Sequence, residues 1–173
     1  MEDWQVAGQI ESSFVNCTNV MEVMVPVFKK QQYGHFIAVT DINASSGGPG
    51  VGVLSGTQQA VESFCEGVAL SLLSFNIRVT IVQTDAEITL LTNPVVFAKP
   101  LPKYKSTLVG KTRDILANST RFPTKAFDNT LSAITAIAGI KDPPGRLFVG
   151  ENVIDQVKNK LTTFSEELDN YSD

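Results

Sequence analysis

Twice in this sequence a short run of consecutive apolar and β-branched residues follows a long stretch with helical spacing. His35-Phe-Ile-Ala-Val-Thr40 and Ile77-Arg-Val-Thr-Ile-Val82 carry no sustained polar face, the pattern of strands buried on both sides of a parallel sheet. Before the first run, apolar residues recur at 6, 10, 14, 17, 20/21, 24 and 27/28. Before the second, positions 53/54, 57, 60/61, 64/65, 68/69 and 72/73 share one side. Both follow the period of an amphipathic helix. Pro26 is expected to kink the first helix or to mark its last turns. A third strand is expected at Arg146-Leu-Phe-Val149, behind the turn Asp142-Pro-Pro-Gly145 and ahead of an amphipathic helix over 152–169. Helices are also expected over 105–116 and 124–138. Strands alternating with helices predict an α/β fold with a short parallel sheet of about three strands.

The segment 43–52, with four Gly, one Pro and two Ser, reads as a loop, and the Pro-rich stretch from Thr92 reads as an irregular excursion. The 173 residues suit one domain rather than two. A net charge of −4, with no clustered basic run, argues against a nucleic-acid partner. No apolar run approaches the roughly 20 residues of a membrane span. Cys17 and Cys65 form neither a disulfide framework nor zinc-type spacing, so no metal is expected. The acidic start, Met1-Glu-Asp-Trp4, resembles no signal segment, and a cytoplasmic location is the expectation.

Several blocks resemble one family in its own order. Gly34-His-Phe-Ile-Ala-Val-Thr-Asp-Ile-Asn43, Pro49-Gly-Val-Gly-Val53, Ala60-Val-Glu-Ser-Phe64 and Ile77–Val82 are similar to the second half of a short-chain dehydrogenase/reductase. Pro143-Pro-Gly-Arg-Leu-Phe-Val-Gly150, with the helix after it, resembles the family's last strand and closing helix. The resemblance implies a truncated Rossmann-like three-layer fold spanning 1–173, with 92–116 in the place of the substrate lid. It also implies that the family's opening nucleotide-binding unit is absent. The glycine-rich stretch Ser45–Gly52 falls where the family has a loop after its fifth strand, not where it holds pyrophosphate.

The resemblance also locates the family's Ser, Tyr and Lys. These positions read Asp41, Leu54 and Gln58. Leu54 cannot exchange a proton, and Gln58 carries no charge to lower a neighbour's pKa. Asn16 matches the Asn of the family's proton relay, or simply bridges helix and sheet. Thr84 and Thr89 fall after the sixth strand, and Thr89 matches a Thr that contacts nicotinamide in the family. The expectation is therefore no bound cofactor and no hydride transfer.

Ligands of open parallel sheets sit beyond the carboxyl ends of the strands. Asp41, Asp85 and Glu87 fall there, and converging carboxyls would supply an acid and a base for isomerisation, dehydration or cyclisation of a small apolar metabolite. Asp41 alternatively caps a turn, and Asp85 and Glu87 alternatively face solvent. Leu54, Gln58, Thr84, Thr89, Phe97 and Tyr104 would line the substrate site, with Leu101 and Pro102 beside them. His35 begins its strand, at the other end. A homodimer is expected through helices 6–28 and 53–74, with Val23, Met24, Val27 and Phe28 against Phe64, Cys65, Val68 and Leu72. The rival expectation is a non-catalytic pseudoenzyme that pairs with a full-length relative through the same faces.

Overall fold

The structure, a computed structural model, describes residues 1–85, 96–118 and 125–171, the side chain of residue 126 apart. It begins with α1 (Asp3–Ile10), which passes through a π-helical turn (Glu11–Val15) into α2 (Asn16–Gln31). Pro26 lies inside α2 without ending it. The irregularity sits earlier, at the π turn, where an extra residue rotates the following helix about its axis. Beside it, the Phe14 ring meets Phe64 edge-on, with centroids 5.9 Å apart and planes at 80°.

Gln32 closes α2 in a left-handed conformation, φ 59°. Two residues later β1 (Gly34–Asp41) begins under the Phe28 ring. A Cβ at position 34 would overlap that ring, so the tight entry into the strand requires glycine. Phe28 also stacks on Phe36, 4.8 Å between centroids.

The glycine-rich segment is not entirely loop. Its first residues form one helical turn, α3 (Asn43–Ser46), ahead of the long α4 (Gly52–Leu72). Then come a 3-10 turn (Leu73–Phe75) and β2 (Ile77–Thr84). Past residue 95 the chain makes a 3-10 turn (Pro102–Tyr104), α5 (Leu108–Asn118), α6 (Lys125–Ala138), β3 (Arg146–Phe148) and α7 (Glu151–Tyr171).

The sheet is parallel, in the order β1-β2-β3. Its register sets Phe36 beside Val79, Ala38 beside Ile81 and Thr40 beside Gln83. These side chains share one face, and Met21, Val61, Cys65 and Leu72 from α2 and α4 complete the core there. Towards the other face, α6 packs on β1, with Ile137 and Val153 buried. Among the described residues β1 is an edge strand, and Val39 on it is 45% exposed.

Much of the apolar surface expected at an intersubunit core is used within the chain. Met24, Phe28, Phe64, Cys65, Val68 and Leu72 all belong to, or pack on, the protein's own core. The helices α2 and α4 lie over the same sheet face, so most of the two stripes is used internally. Val23 and Val27 do point outward, 69% and 48% exposed.

A charge is buried in this layer. Glu62 on α4 is 1% exposed and accepts hydrogen bonds from Thr40 Oγ1 (2.6 Å) and Gln83 Nε2 (2.8 Å). It also forms an ion pair with Arg146 Nη1, whose other arm reaches Glu66 at 2.6 Å. Each strand thus contributes one bond to a single carboxylate. His35, at the start of β1, sits 2.9 Å from Thr80 Oγ1 through Nε2. The Thr80 hydroxyl itself donates to the Pro144 carbonyl, which makes His35 the donor of that pair. Burial holds the imidazole pKa below its ordinary value.

Truncating Glu62 leaves Arg146, Thr40 and Gln83 without their common acceptor. Glu62→Ala should lower unfolding stability by about 3 kcal/mol, read from urea denaturation. Glu66→Ala, at the exposed end of the same ion pair, should cost less than about 1 kcal/mol.

Candidate functional site

The carboxyl ends of the strands hold Asp41, Thr84 and Asp85, and there each has a specific partner. Asp41, the last residue of β1, is 1% exposed. Its Oδ1 accepts from the Asn43 backbone N–H at 2.8 Å, closing a turn into α3. Its Oδ2 accepts from Gln58 Nε2 at 3.1 Å, and its own N–H donates to Gln58 Oε1 at 3.3 Å. Gln58, on α4, is 6% exposed. The two residues therefore hold one another through both ends of the Gln58 amide. Leu54, one turn earlier on α4, is half-buried.

Thr84 is fully buried, and its hydroxyl faces the Thr40 carbonyl (3.2 Å) and the Asp85 carbonyl (3.1 Å). Asp85 follows β2 and turns the other way. Its Oδ1 accepts from Asn152 Nδ2 at 3.1 Å, in the first turn of α7. A carboxylate there is favoured by the amino-terminal end of the helix. Gly150, which leads into α7, has φ 114°, and a Cβ on it would come within 2.9 Å of Asp85 Oδ2. Glycine is required there both by conformation and by space.

The convergence expected of Asp41, Asp85 and Glu87 is thus divided. Asp41 and Asp85 lie at neighbouring strand ends, because Asp41 is in register with Thr84. Their carboxylates, however, engage α4 on one side and α7 on the other. Glu87 and Thr89 lie outside the described residues.

The remaining nominated residues sit elsewhere. Asn16 is exposed and donates to the Ser12 carbonyl at 3.3 Å. It stays within its own helix, which corrects the bridge to the sheet expected of it; the π turn immediately before it sets the rotation of α2. Phe97 stacks on the Arg113 guanidinium, 4.8 Å from the ring centroid, while Arg113 Nη1 donates to the Ala98 carbonyl at 2.7 Å. Leu101 and Tyr104 are 52% and 43% exposed. These side chains fasten the excursion to α5 or face solvent.

Hydride transfer with a nicotinamide dinucleotide, which the fold implies, needs a proton donor for the substrate, and the ribose of the cofactor needs a polar or cationic group to hold it. Leu54 has no proton to give, and the Gln58 amide is committed to Asp41. The residues at these positions do not fit that end of the cofactor. No group of three or more His, Cys, Asp or Glu suited to a metal ion occurs among the described residues. No described helix is long and apolar enough to cross a membrane.

Sequence reasoning passed over Glu62, Gln83, Arg146, Gly150 and Asn152. Glu62 was visible as a carboxylate one turn beyond Gln58, bounded by buried Val61 and Cys65.

An open parallel sheet with helices on both faces, and polar groups gathered at its carboxyl edge, is the architecture of a dinucleotide-fold α/β protein. Sequence comparison bears this out. Oxidoreductase BOA17 of Botryotinia fuckeliana is 25% identical over 153 residues, covering 86% of this chain and 54% of that protein. The 3-ketodihydrosphingosine reductase of Bacteroides thetaiotaomicron is 30% identical over 79 residues, 46% of this chain and 29% of the reductase. A short-chain dehydrogenase from Streptomyces avermitilis superposes with a TM-score of 0.83 at 20% identity, over 98% of this chain and 62% of its own. One from Burkholderia cenocepacia, solved in complex with NADP, gives 0.61 at 17% identity, over 97% and 59%. No family model matches the sequence. The chain thus shares its fold with short-chain dehydrogenases and is similar in sequence to an oxidoreductase and a ketoreductase, and it spans about half the length of the first of these curated relatives.

A separate chemical feature lies between α2 and α4. Half-buried Cys17 interacts with the buried Cys65 thiol. The neighbouring Cys65 thiol, opposed by burial, lowers the Cys17 pKa to about 7, while Cys17 and burial push Cys65 up. Native protein should therefore be alkylated by iodoacetamide at Cys17 with a rate midpoint near pH 7. Cys65 should react only after unfolding, and mass mapping of the two peptides reads the difference.

Proposed function

We propose that this chain is a non-redox member of its family that acts as a non-catalytic partner of another family chain. The observation that carries this reading is the reciprocal pairing of Asp41 with Gln58. These are the positions of the family's Ser and Lys, and here their polar atoms are turned on each other and buried. The Tyr position between them is a leucine. All three lie well inside this chain, whatever precedes it. A partner role suits the outward row of Val20, Val23 and Val27 on α2, 58%, 69% and 48% exposed. The partner on that face is either a second copy or a full-length relative.

A second reading is a cofactor-independent catalyst or binder of a small apolar metabolite, moving protons in an isomerisation, cyclisation or dehydration. The half-buried carboxylate of Asp85 at the sheet edge favours it, since solvent reaches this acid more readily than Asp41.

Native mass spectrometry of the protein from its own host separates the readings. A complex with a longer chain of the same family is the result expected. A homodimer carrying a small-molecule adduct would favour the second reading, and oxidation of NAD(P)H by the purified protein would overturn the non-redox assignment. Asp41→Ala should leave Asn43 N–H and Gln58 without their acceptor and cost about 2 kcal/mol, seen as a fall of about 4–8 °C in melting temperature. If Asp41 instead serves proton chemistry, Asp41→Asn abolishes a turnover that the unaltered protein possesses.

A further inference from the structure

The closing helix carries an apolar repeat whose first residues, Ile154 and Val157, are partly packed and whose second half the described residues leave exposed. Along α7, apolar residues fall at Ile154, Val157, Leu161, Phe164, Leu168 and Tyr171, spaced alternately three and four apart. This is the seam of a two-stranded coil. Away from the seam the helix presents Asp155, Gln156, Asn159, Thr162, Thr163, Glu166, Asp169 and Asn170, all polar. Val153 anchors the first turn in the core with no exposure, but every residue from Leu161 to Tyr171 is exposed. Leu161 is 63% exposed, Phe164 49%, Leu168 67% and Tyr171 86%. Phe164, Glu167, Leu168 and Tyr171 line an open recess on this helix. Three turns of helix projecting without tertiary support are marginal in water, and an apolar row on them calls for a partner surface.

We propose that α7 pairs antiparallel with the α7 of a second copy of this chain. Centred between Leu161 and Phe164, the pairing sets Leu161 against the second copy's Phe164, Val157 against its Leu168 and Ile154 against its Tyr171. The residues flanking the seam decide the direction. Antiparallel, Lys160 of each copy faces Glu167 of the other, so twofold symmetry supplies two opposite-charge pairs. Parallel, Lys160 would face Ser165 and Lys158 would face Val153, with no opposite-charge pair from either lysine. In the single chain the Lys160 ammonium lies over its own Phe164 ring, 4.4 Å from the centroid. It is already placed on the rim of the seam. This interface is separate from the α2 and α4 faces discussed above and independent of the functional reading.

Sedimentation equilibrium of the intact chain tests the proposal, with circular dichroism confirming that each variant stays folded. The unaltered protein should self-associate to a dimer, and Leu168→Glu, at a largely exposed position, should make it monomeric. Lys160→Glu should weaken association about tenfold, because symmetry counts the new repulsion twice. Adding Glu167→Lys to that variant should restore it. A monomer at every concentration, a dimer indifferent to Leu168→Glu, or failure of the paired charge exchange to restore association would each overturn the proposal.

Discussion

The sheet of this protein depends on the cost of burying one carboxylate. An uncompensated charge in that layer would cost several kcal/mol, so Glu62 is tolerable only when Thr40, Gln83 and Arg146 all reach it together. That requirement fixes register as well as contact. Side chains alternate across a sheet, and a slip of one residue would send Thr40 or Gln83 to the opposite face. Gln83 passes the constraint on to Ser45 through its second hydrogen bond, at 2.6 Å, and so fixes the short helix after β1. The alignment of three strands and the path out of the first are held from one point on α4.

Leu54, Gln58 and Glu62 stand at four-residue intervals on that helix, one row facing the sheet's carboxyl end. A ligand on this row would need polar groups with hydrogen-bonding capacity left over. Here the row is satisfied internally, Gln58 by Asp41 and Glu62 by the three strands. The same side chains could serve a ligand or the fold, and Gln58 and Glu62 are bound within the fold. Asp85 follows the neighbouring strand and turns towards α7.

The architecture was legible because it rests on periodicity. Unbroken apolar runs mark the three strands to within a residue or two, and helical spacing marks α2, α4 and α7. The one-turn helix at Asn43 was hidden, since Gly and Pro downstream dominate the reading of that stretch, while its turn is closed by the Asp41 carboxylate. The π turn was hidden too, as a single extra residue scarcely disturbs an apolar period spread over six turns. The site was legible only as a set of positions. Sequence spacing brought Asp41 and Gln58 forward as separate candidates, but not their pairing, which depends on the distance between a strand end and a helix. Nor could spacing tell which way the Asp85 carboxylate would turn, a matter decided by Asn152 and by the room left at Gly150.

The position of β2 has a consequence for the order of assembly. It is the middle strand, hydrogen-bonded to β1 on one side and β3 on the other, yet it comes after α4 in the chain. Gly34 must wait for Ile77, and Ile81 must then wait for Arg146. During synthesis β1 therefore leaves the ribosome well before β2, its partner in this sheet. The contact between β1 and β2 closes a long loop, which slows folding and leaves the incomplete chain prone to stray pairing. The helix α4, built on local contacts that form quickly, spans the wait between the two strands.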